Sequence, residues 1–291
     1  PECPRCSVPM TYHSANGRLM CHYCGHSEPA YDRCPQCGGI MKHIGTGTQK
    51  VEEELHALFP GAKVLRMDTD TVGASHGHEK LLRQFEEEKI PILLGTQMVT
   101  KGHDFPDVTL VGVLLADASL YLDDYRAAER TFSLLTQVVG RAGRAQKRGV
   151  AVIQTSNPDH EVIRLAAKQD SVAFFEREIR LRKLLVFPPF CDIVLLTLSH
   201  RNEREVMLSA KNLSEELSKR VSSTFSDVQL LAFGPFEAPI YRAEGRYRMR
   251  MVVKCALNRR SRALFREILL LFSGQGAGAP TLSVDFNPSS L

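Results

Sequence analysis

Three C-x2-C pairs, Cys3/Cys6, Cys21/Cys24 and Cys34/Cys37, open this chain of 291 residues and constrain its fold more than any other feature. A stretch this short holds too few apolar residues to close a core alone, so it needs a disulfide framework or a metal. Cysteines two residues apart put both thiolates on one tight knuckle, and two knuckles enclose a tetrahedral Zn2+. Cys3, Cys6, Cys21 and Cys24 read C-x2-C-x14-C-x2-C, close to zinc-ribbon spacing, and make one complete ligand set. Cys34 and Cys37 are ligands by the same chemistry, in a second site that lacks its other half. The chain begins at Pro1 rather than Met, so a fourth pair is expected just upstream. Disulfides would need an oxidising compartment, and nothing resembles a signal peptide; zinc and the cytoplasm are the expectation. His13, His22 and His26 are read as exposed loop residues, and Cys191 and Cys255 as small hydrophobes buried in apolar runs.

Further along, Gln137 to Arg144 reads Q-V-V-G-R-A-G-R, downstream of G-T-Q-M-V-T-K-G-H-D-F-P at Gly95 to Pro106. Three residues apart, Arg141 and Arg144 fall on adjacent turns of a helix, where both guanidinium forks can meet one compact anion. Glycines inside a helix cost roughly 1 kcal/mol each, so Gly140 and Gly143 point to close approach by a ligand or a facing lobe. Upstream, the apolar run Ile92-Leu93-Leu94 leads into a loop whose N–H groups and Asp104 carboxylate suit a sugar. Together the two segments resemble motifs V and VI of superfamily 2 helicases. An arginine so placed neutralises charge on the departing γ-phosphoryl group and is worth ~10³–10⁵ in turnover. Neither a phosphate-cradling G-x-x-x-x-G-K-[ST] nor an Asp-Glu pair occurs, and Gly45 to Lys50 has the wrong spacing. The chain is therefore expected to carry the second lobe of a two-lobed motor, without ATPase activity alone.

Val51 to Phe59 predicts a helix ended by Pro60-Gly61, Lys63 to Met67 a strand, and Glu79 to Glu88 and Tyr125 to Val139 helices. The apolar runs at 92–94, 108–115 and 150–154 lack alternation, as strands buried on both faces do. Alternating strands and helices give a parallel sheet with helices on both faces, an α/β, RecA-like lobe. Asp68, Asp70 and Asp117 stand just past strand-like runs, where such sheets place ligands; turns and caps are the plainer reading for the first two, and Asp117 is open. A helical connector from about His160 to Leu185 carries Phe174, Phe175, Ile179 and Leu184 on one period, its aromatic pair read as packing, and Pro188-Pro189 marks a boundary. Beyond it the order β-α-β-β-α-β predicts a ferredoxin-like α+β domain, with strands near 193–198, 228–233, 248–256 and 282–286 and helices near 203–221 and 259–272. The expected domains are a zinc-binding module over 1–43, helicase lobe 2 over 44–158, a helical connector over 159–188 and the C-terminal domain over 189–291.

Lys and Arg number 37 against 33 Asp and Glu, so net charge alone announces no nucleic acid. Arg242, Arg246, Arg248, Arg250, Lys254, Arg259, Arg260, Arg262 and Arg266 nevertheless crowd one stretch, which makes either a positive face for phosphates or a solvated strand. Tyr241 and Tyr247 are read as packing residues in preference to a base-stacking role. No apolar run is long enough to cross a bilayer, and no membrane partner is expected.

The order of the motifs resembles one family. C-P-R-C at Cys3, C-H-Y-C-G at Cys21, C-P-Q-C-G at Cys34, G-T-G-T-Q-K-V-E-E-E-L at Gly45, R-M-D-T-D-T at Arg66 and the two motor segments are similar to the primosomal protein N′ (PriA) family. F-P-P-F at Phe187, G-P-F-E-A-P-I at Gly234, R-Y-R-M-R at Arg246 and V-D-F-N-P at Val284 resemble that family's C-terminal domain. The resemblance implies an ATP-driven helicase that translocates 3′ to 5′ on single-stranded DNA, opens stalled forks and restarts replication through primosome assembly. It implies two Zn2+ sites in the intact family, one complete here, with ATP and Mg2+ in the full-length protein. Implied partners are DNA forks, single-stranded DNA, single-strand DNA-binding protein and other primosome proteins. Carried over, Arg141 and Arg144 contact the γ-phosphate with Gln137 beside them. Gly102, Asp104 and Gly140 lie at the nucleotide, and Thr96, Gln97 and Lys101 face the cleft or DNA. The family's 3′-end-binding domain, first lobe and first C-x2-C pair are not among these residues. Two alternatives stand beside this reading: a zinc-stabilised DNA- and protein-binding module without turnover, and the second lobe of a RecG-like helicase, which leaves the cysteines unexplained.

Overall fold

The computed structural model describes residues 1–5, 10–13, 17–21, 24, 26–35, 37–40, 47–68, 77–96, 105, 107–122, 124–141, 149–273 and 278–290. Residues 1–43 and 179–291 form one compact unit and residues 44–178 another.

The cysteine module is a three-stranded antiparallel sheet of β1 (Thr11–His13), β2 (Arg18–Met20) and β3 (Ser27–Pro29), in that order. Thr11 pairs with Met20, and Arg18 with Pro29. Among the described residues its buried cluster is Cys3, Met10, Leu19 and Cys21, half of them thiols.

Residues 44–178 hold α1 (Thr48–Leu58), β4 (Val64–Met67), α2 (Gly77–Glu87), β5 (Ile92–Gly95), β6 (Leu110–Val113), α3 (Ala127–Val139), β7 (Val150–Ile153), α4 (Glu161–Ala167) and most of α5 (Ser171–Leu184). β4 runs parallel to β5, with Val64 opposite Ile92, and β6 parallel to β7, with Leu110 opposite Val150. Met67, Leu82 and Phe105 form the core beside the first pair. Beside the second, Ala116, Phe132, Leu135, Val162, Ile163, Ala166 and Phe174 are buried, and the Phe132 and Phe174 rings stack with centroids 4.0 Å apart.

Two sequence expectations are corrected here. β6 and β7 alternate rather than being buried throughout: Val113 and Ile153 pack inward, while Leu110, Val150 and Val152 are exposed. The period of two is the ordinary consequence of a strand covered on one side; valine and leucine on the open side hid it from the sequence. The connector is two helices, not one, because the chain turns between Lys168 and Asp170 with Gln169 at φ +55. Phe174 is core, as read, but Phe175 is exposed.

The C-terminal domain runs β8 (Asp192–His200), α6 (Glu203–Ser222), β9 (Leu230–Ala243), β10 (Arg246–Cys255), α7 (Arg259–Ser273) and β11 (Thr281–Phe286). Its antiparallel sheet has the order β11-β8-β10-β9, with both central strands separated by a helix-containing crossover, as a ferredoxin-like fold requires. Alternate residues of β8 and β10 face the helices: Val194, Leu196 and Leu198, with Met249, Met251, Val253 and Cys255, pack on Leu213, Leu217, Leu264, Phe265 and Ile268. Asn202 starts α6, its side-chain oxygen accepting from the Arg204 and Glu205 N–H groups at 2.9 and 3.3 Å. β9 extends to Ala243, beyond the expected end at Phe233, because the pairing passes Gly234-Pro235 and Pro239 with register shifts instead of stopping.

Candidate functional site

The Sγ atoms of Cys3, Cys21 and Cys24 lie within 4.8 Å of one another, and those of Cys3 and Cys24 are 3.7 Å apart. A tetrahedron with Zn–S bonds of about 2.3 Å has edges of about 3.8 Å, whereas a disulfide needs about 2.05 Å. Geometry and an all-thiolate donor set therefore both fit zinc. Cys6, the fourth member expected, is outside the described residues, and Cys34 and Cys37 stand apart from the cluster. The two later knuckles share a backbone signature. The Cys21 N–H donates to the His26 carbonyl and the Cys34 N–H to the Gly39 carbonyl, each at 2.8 Å and each five residues on. Gly38, at φ +69, also donates its N–H to the Cys34 carbonyl at 2.8 Å. His26 is a loop residue but half-buried rather than exposed, 3.6 Å from the Glu28 carboxylate; His13 ends β1 rather than lying in a loop, and His22 is outside the described residues.

Of the motor residues, Gln97, Lys101, Gly102, Asp104 and Arg144 are outside the described residues, as is Asp70. Thr96 is exposed directly after β5, and Gln137 is exposed on α3, donating to Ser133 Oγ at 3.2 Å. Arg141 is not on a helical turn. α3 ends at Val139, Gly140 caps it, and the Arg141 N–H reaches back to the Val138 carbonyl at 3.1 Å. The glycine that costs stability inside a helix costs little at its end. A Cβ on Gly140 would lie 3.2 Å from Gln169 Nε2 in the α4–α5 turn and 3.2 Å from the Thr136 carbonyl.

Asp117 is buried, accepting from the Ser156 hydroxyl and, at 3.3 Å, from the Ser156 N–H; the side-chain bond is the main reason its carboxyl is held below the usual range. It ties the end of β6 to the end of β7, the structural side of the question left open by sequence. Asp68 likewise accepts from Thr48 Oγ1 at 2.5 Å and lies 3.4 Å from Arg66 Nε, joining α1 to β4. Sequence reading missed the roles of Gln169, Ser156 and Thr48, because each meets its partner across a long stretch of chain.

The nine cations of the C-terminal stretch divide rather than forming one face. Arg242 lies on β9 over the Tyr247 ring, Arg246, Arg248, Arg250 and Lys254 share the side of β10 away from the helices, and Arg259, Arg260, Arg262 and Arg266 belong to α7. Lys254 is buried, its Nζ 3.5 Å from the Phe187 ring centroid and donating to the Leu185 carbonyl at 2.8 Å; burial pushes its pKa down. Arg250 is buried over Phe236, and Arg260 pairs with Asp227. Tyr241 and Tyr247 pack on the core and on each other, as expected. Cys255 is buried with its thiol pushed up to about 11, mainly by burial; Cys191 is only half-buried and donates to the Val186 carbonyl at 3.2 Å.

Comparison with known proteins follows the same order along the chain. Residues 3–29 match the PriA DNA helicase Cys-rich region (CRR) domain, residues 44–146 the helicase conserved C-terminal domain, and residues 183–289 the primosomal protein N C-terminal domain. The replication restart protein PriA of Bacillus subtilis (strain 168) is 43% identical over 290 residues, 99% of this chain. The chain belongs to the PriA family. PriA of Synechocystis sp. is 41% identical over 87% of the chain, and PriA of Treponema pallidum 37% identical over 87%. The chain spans 35%, 30% and 38% of the lengths of these three relatives, so it corresponds to a part of each. Within the PriA matches, the Cys-rich region takes in Cys3, Cys6, Cys21 and Cys24, and the helicase segment takes in Thr96 to Arg144. The Cys-rich and C-terminal matches together separate PriA from the RecG-like alternative.

Proposed function

We propose that this chain is the C-terminal part of an ATP-dependent 3′–5′ DNA helicase that acts at stalled forks and restarts replication by primosome assembly. The observation that carries the reading is the 43% identity to a replication restart protein running through all three segments. In this reading Arg141 and Arg144 reach the γ-phosphate from the second lobe, with Gln137 and Gly140 shaping their approach. Gly102 and Asp104 line the nucleotide, and Thr96, Gln97 and Lys101 face DNA. The P-loop and the acidic pair that holds Mg2+ belong to a partner lobe. Cys3, Cys6, Cys21 and Cys24 hold one Zn2+, which when bound supplies a structural cross-link, and Cys34 and Cys37 supply half of a second site. The protein works in the cytoplasm with forked and single-stranded DNA, single-strand DNA-binding protein and other primosome proteins. By itself the chain is a zinc-stabilised DNA- and protein-binding module without turnover, a reading favoured by the lack of any G-x-x-x-x-G-K-[ST] in it.

The test is Arg141→Ala in the full-length protein. ATP hydrolysis should fall by ~10³–10⁵ while affinity for forked DNA is kept. Retention of near-normal hydrolysis would remove Arg141 from the catalytic set, and parallel loss of DNA binding would make its role structural.

A further inference from the structure

The turn between β9 and β10 consists of Glu244 at φ +52 and Gly245 at φ +75, flanked by the pair Ala243 and Arg246. Two left-handed residues make the hairpin turn whose twist suits the strands it joins. The tip of this hairpin sits on the cysteine module. The Gly245 N–H donates to the Arg5 carbonyl at 3.0 Å, within the C-P-R-C knuckle. Ala243 packs against the cluster of Cys3, Met10, Leu19 and Cys21. Two of those four residues are candidate metal ligands, so the surface that receives the hairpin is built round the metal centre. A core so small does not persist by apolar burial alone, and metal affinity in such a module is folding free energy.

We infer that the β9–β10 turn is a plug seated on the segment from Cys3 to Arg5, so that metal occupancy and docking of the C-terminal hairpin stabilise each other. The coupling is reciprocal by linkage: loosening the turn weakens metal binding, and removing the metal frees the turn. Its chemistry is specific to this tip. The hydrogen bond needs a backbone N–H at a left-handed position, and the apolar contact needs a side chain as small as alanine against the Cys3 cluster. Grouping of residues 1–43 with 179–291, across the whole of the intervening lobe in sequence, agrees with such a joint.

This inference rests on the zinc assignment, and the experiment separates the two. Zinc content of the purified 291-residue chain is measured first, then the rate of zinc transfer to a chromophoric chelator. Ala243→Glu should release zinc roughly tenfold faster, within the usual range of site-to-site coupling. Gly245→Asn, which keeps the N–H and tolerates the left-handed backbone, should release it near the unsubstituted rate. In the unsubstituted chain, EDTA should abolish hydrogen-exchange protection at the Gly245 amide while Met251 and Val253 in β10 stay protected. Equal release from Ala243→Glu and the unsubstituted chain, or Gly245 protection that survives chelation, overturns the plug. Absence of zinc overturns the metal assignment instead. Should Ala243→Glu fail to fold, the exchange experiment on the unsubstituted chain decides alone.

Discussion

Gly234 occupies a backbone conformation at φ +104, and a Cβ there would lie 2.9 Å from the Arg250 carbonyl and 3.0 Å from the Phe236 ring. Strain and overlap act together at this position. Gly234→Ala should cost roughly 1–3 kcal/mol, read as a lower urea midpoint for the C-terminal domain. A midpoint unchanged from the parent would mean that β9 takes up the extra carbon by shifting. The same logic accounts for the other motifs of this domain that carry the family resemblance. Phe187 is held by the buried Lys254 ammonium, and Phe236 lies under Arg250. Asn287, left-handed at φ +50, accepts from the Ile193 N–H at 2.9 Å and donates to Asp192 Oδ1 at 2.9 Å, clasping the end of β11 to the start of β8. That bond is the largest of the contacts that hold the Asp192 carboxyl below its usual range. These residues are joints of the fold, so motif identity in this domain reports architecture more than chemistry.

Between elements, Tyr241 of β9 donates to Glu203 Oε1 in the first turn of α6 at 2.9 Å. Burial first, then that hydrogen bond and the Glu203 charge, push its pKa from 10.0 up to about 12. A phenol whose folded pKa is raised keeps its proton longer in the native state than in the unfolded chain. Its contribution to stability is therefore complete below pH 10 and is lost as pH rises through about 12. Urea unfolding across this window should show the advantage of the parent over Tyr241→Phe shrinking with pH; an advantage that does not change would place the phenol in a solvent-like environment. The C-terminal elements were legible because their alternation is clean: the β-α-β-β-α-β order and nearly every span follow from one apolar face per strand and helix. The lobe was legible as parallel α/β, but the exposed valines of β7 imitate a buried strand, and the Gln169 turn inside the connector carries neither glycine nor proline to announce it. At the candidate site, the cysteine spacing pointed to the three thiols that meet among the described residues, Cys3, Cys21 and Cys24. The end of α3 at Val139 was legible, whereas Gly140, read as a point of close approach, is its cap.

For the whole molecule, the chain divides into two units whose buried clusters share no residue: Phe265 centres the C-terminal core and Phe174 stacks on Phe132 in the lobe. Removing a buried phenylalanine costs about 3–5 kcal/mol through lost transfer energy and the cavity left behind. A chain with separate cores has no reason to unfold as one cooperative block. Calorimetry should accordingly resolve two transitions, with Phe265→Ala lowering one and Phe174→Ala the other. The cysteine module belongs to the same unit as Phe265 although residues 44–178 intervene in sequence. Chelation of zinc should therefore lower the transition that Phe265→Ala lowers and leave the Phe174 transition in place. One transition moved equally by both substitutions would contradict the division into units. A chelator effect confined to the Phe174 transition would mean that the cysteine module draws its stability from the lobe beside it in sequence and not from the domain that follows.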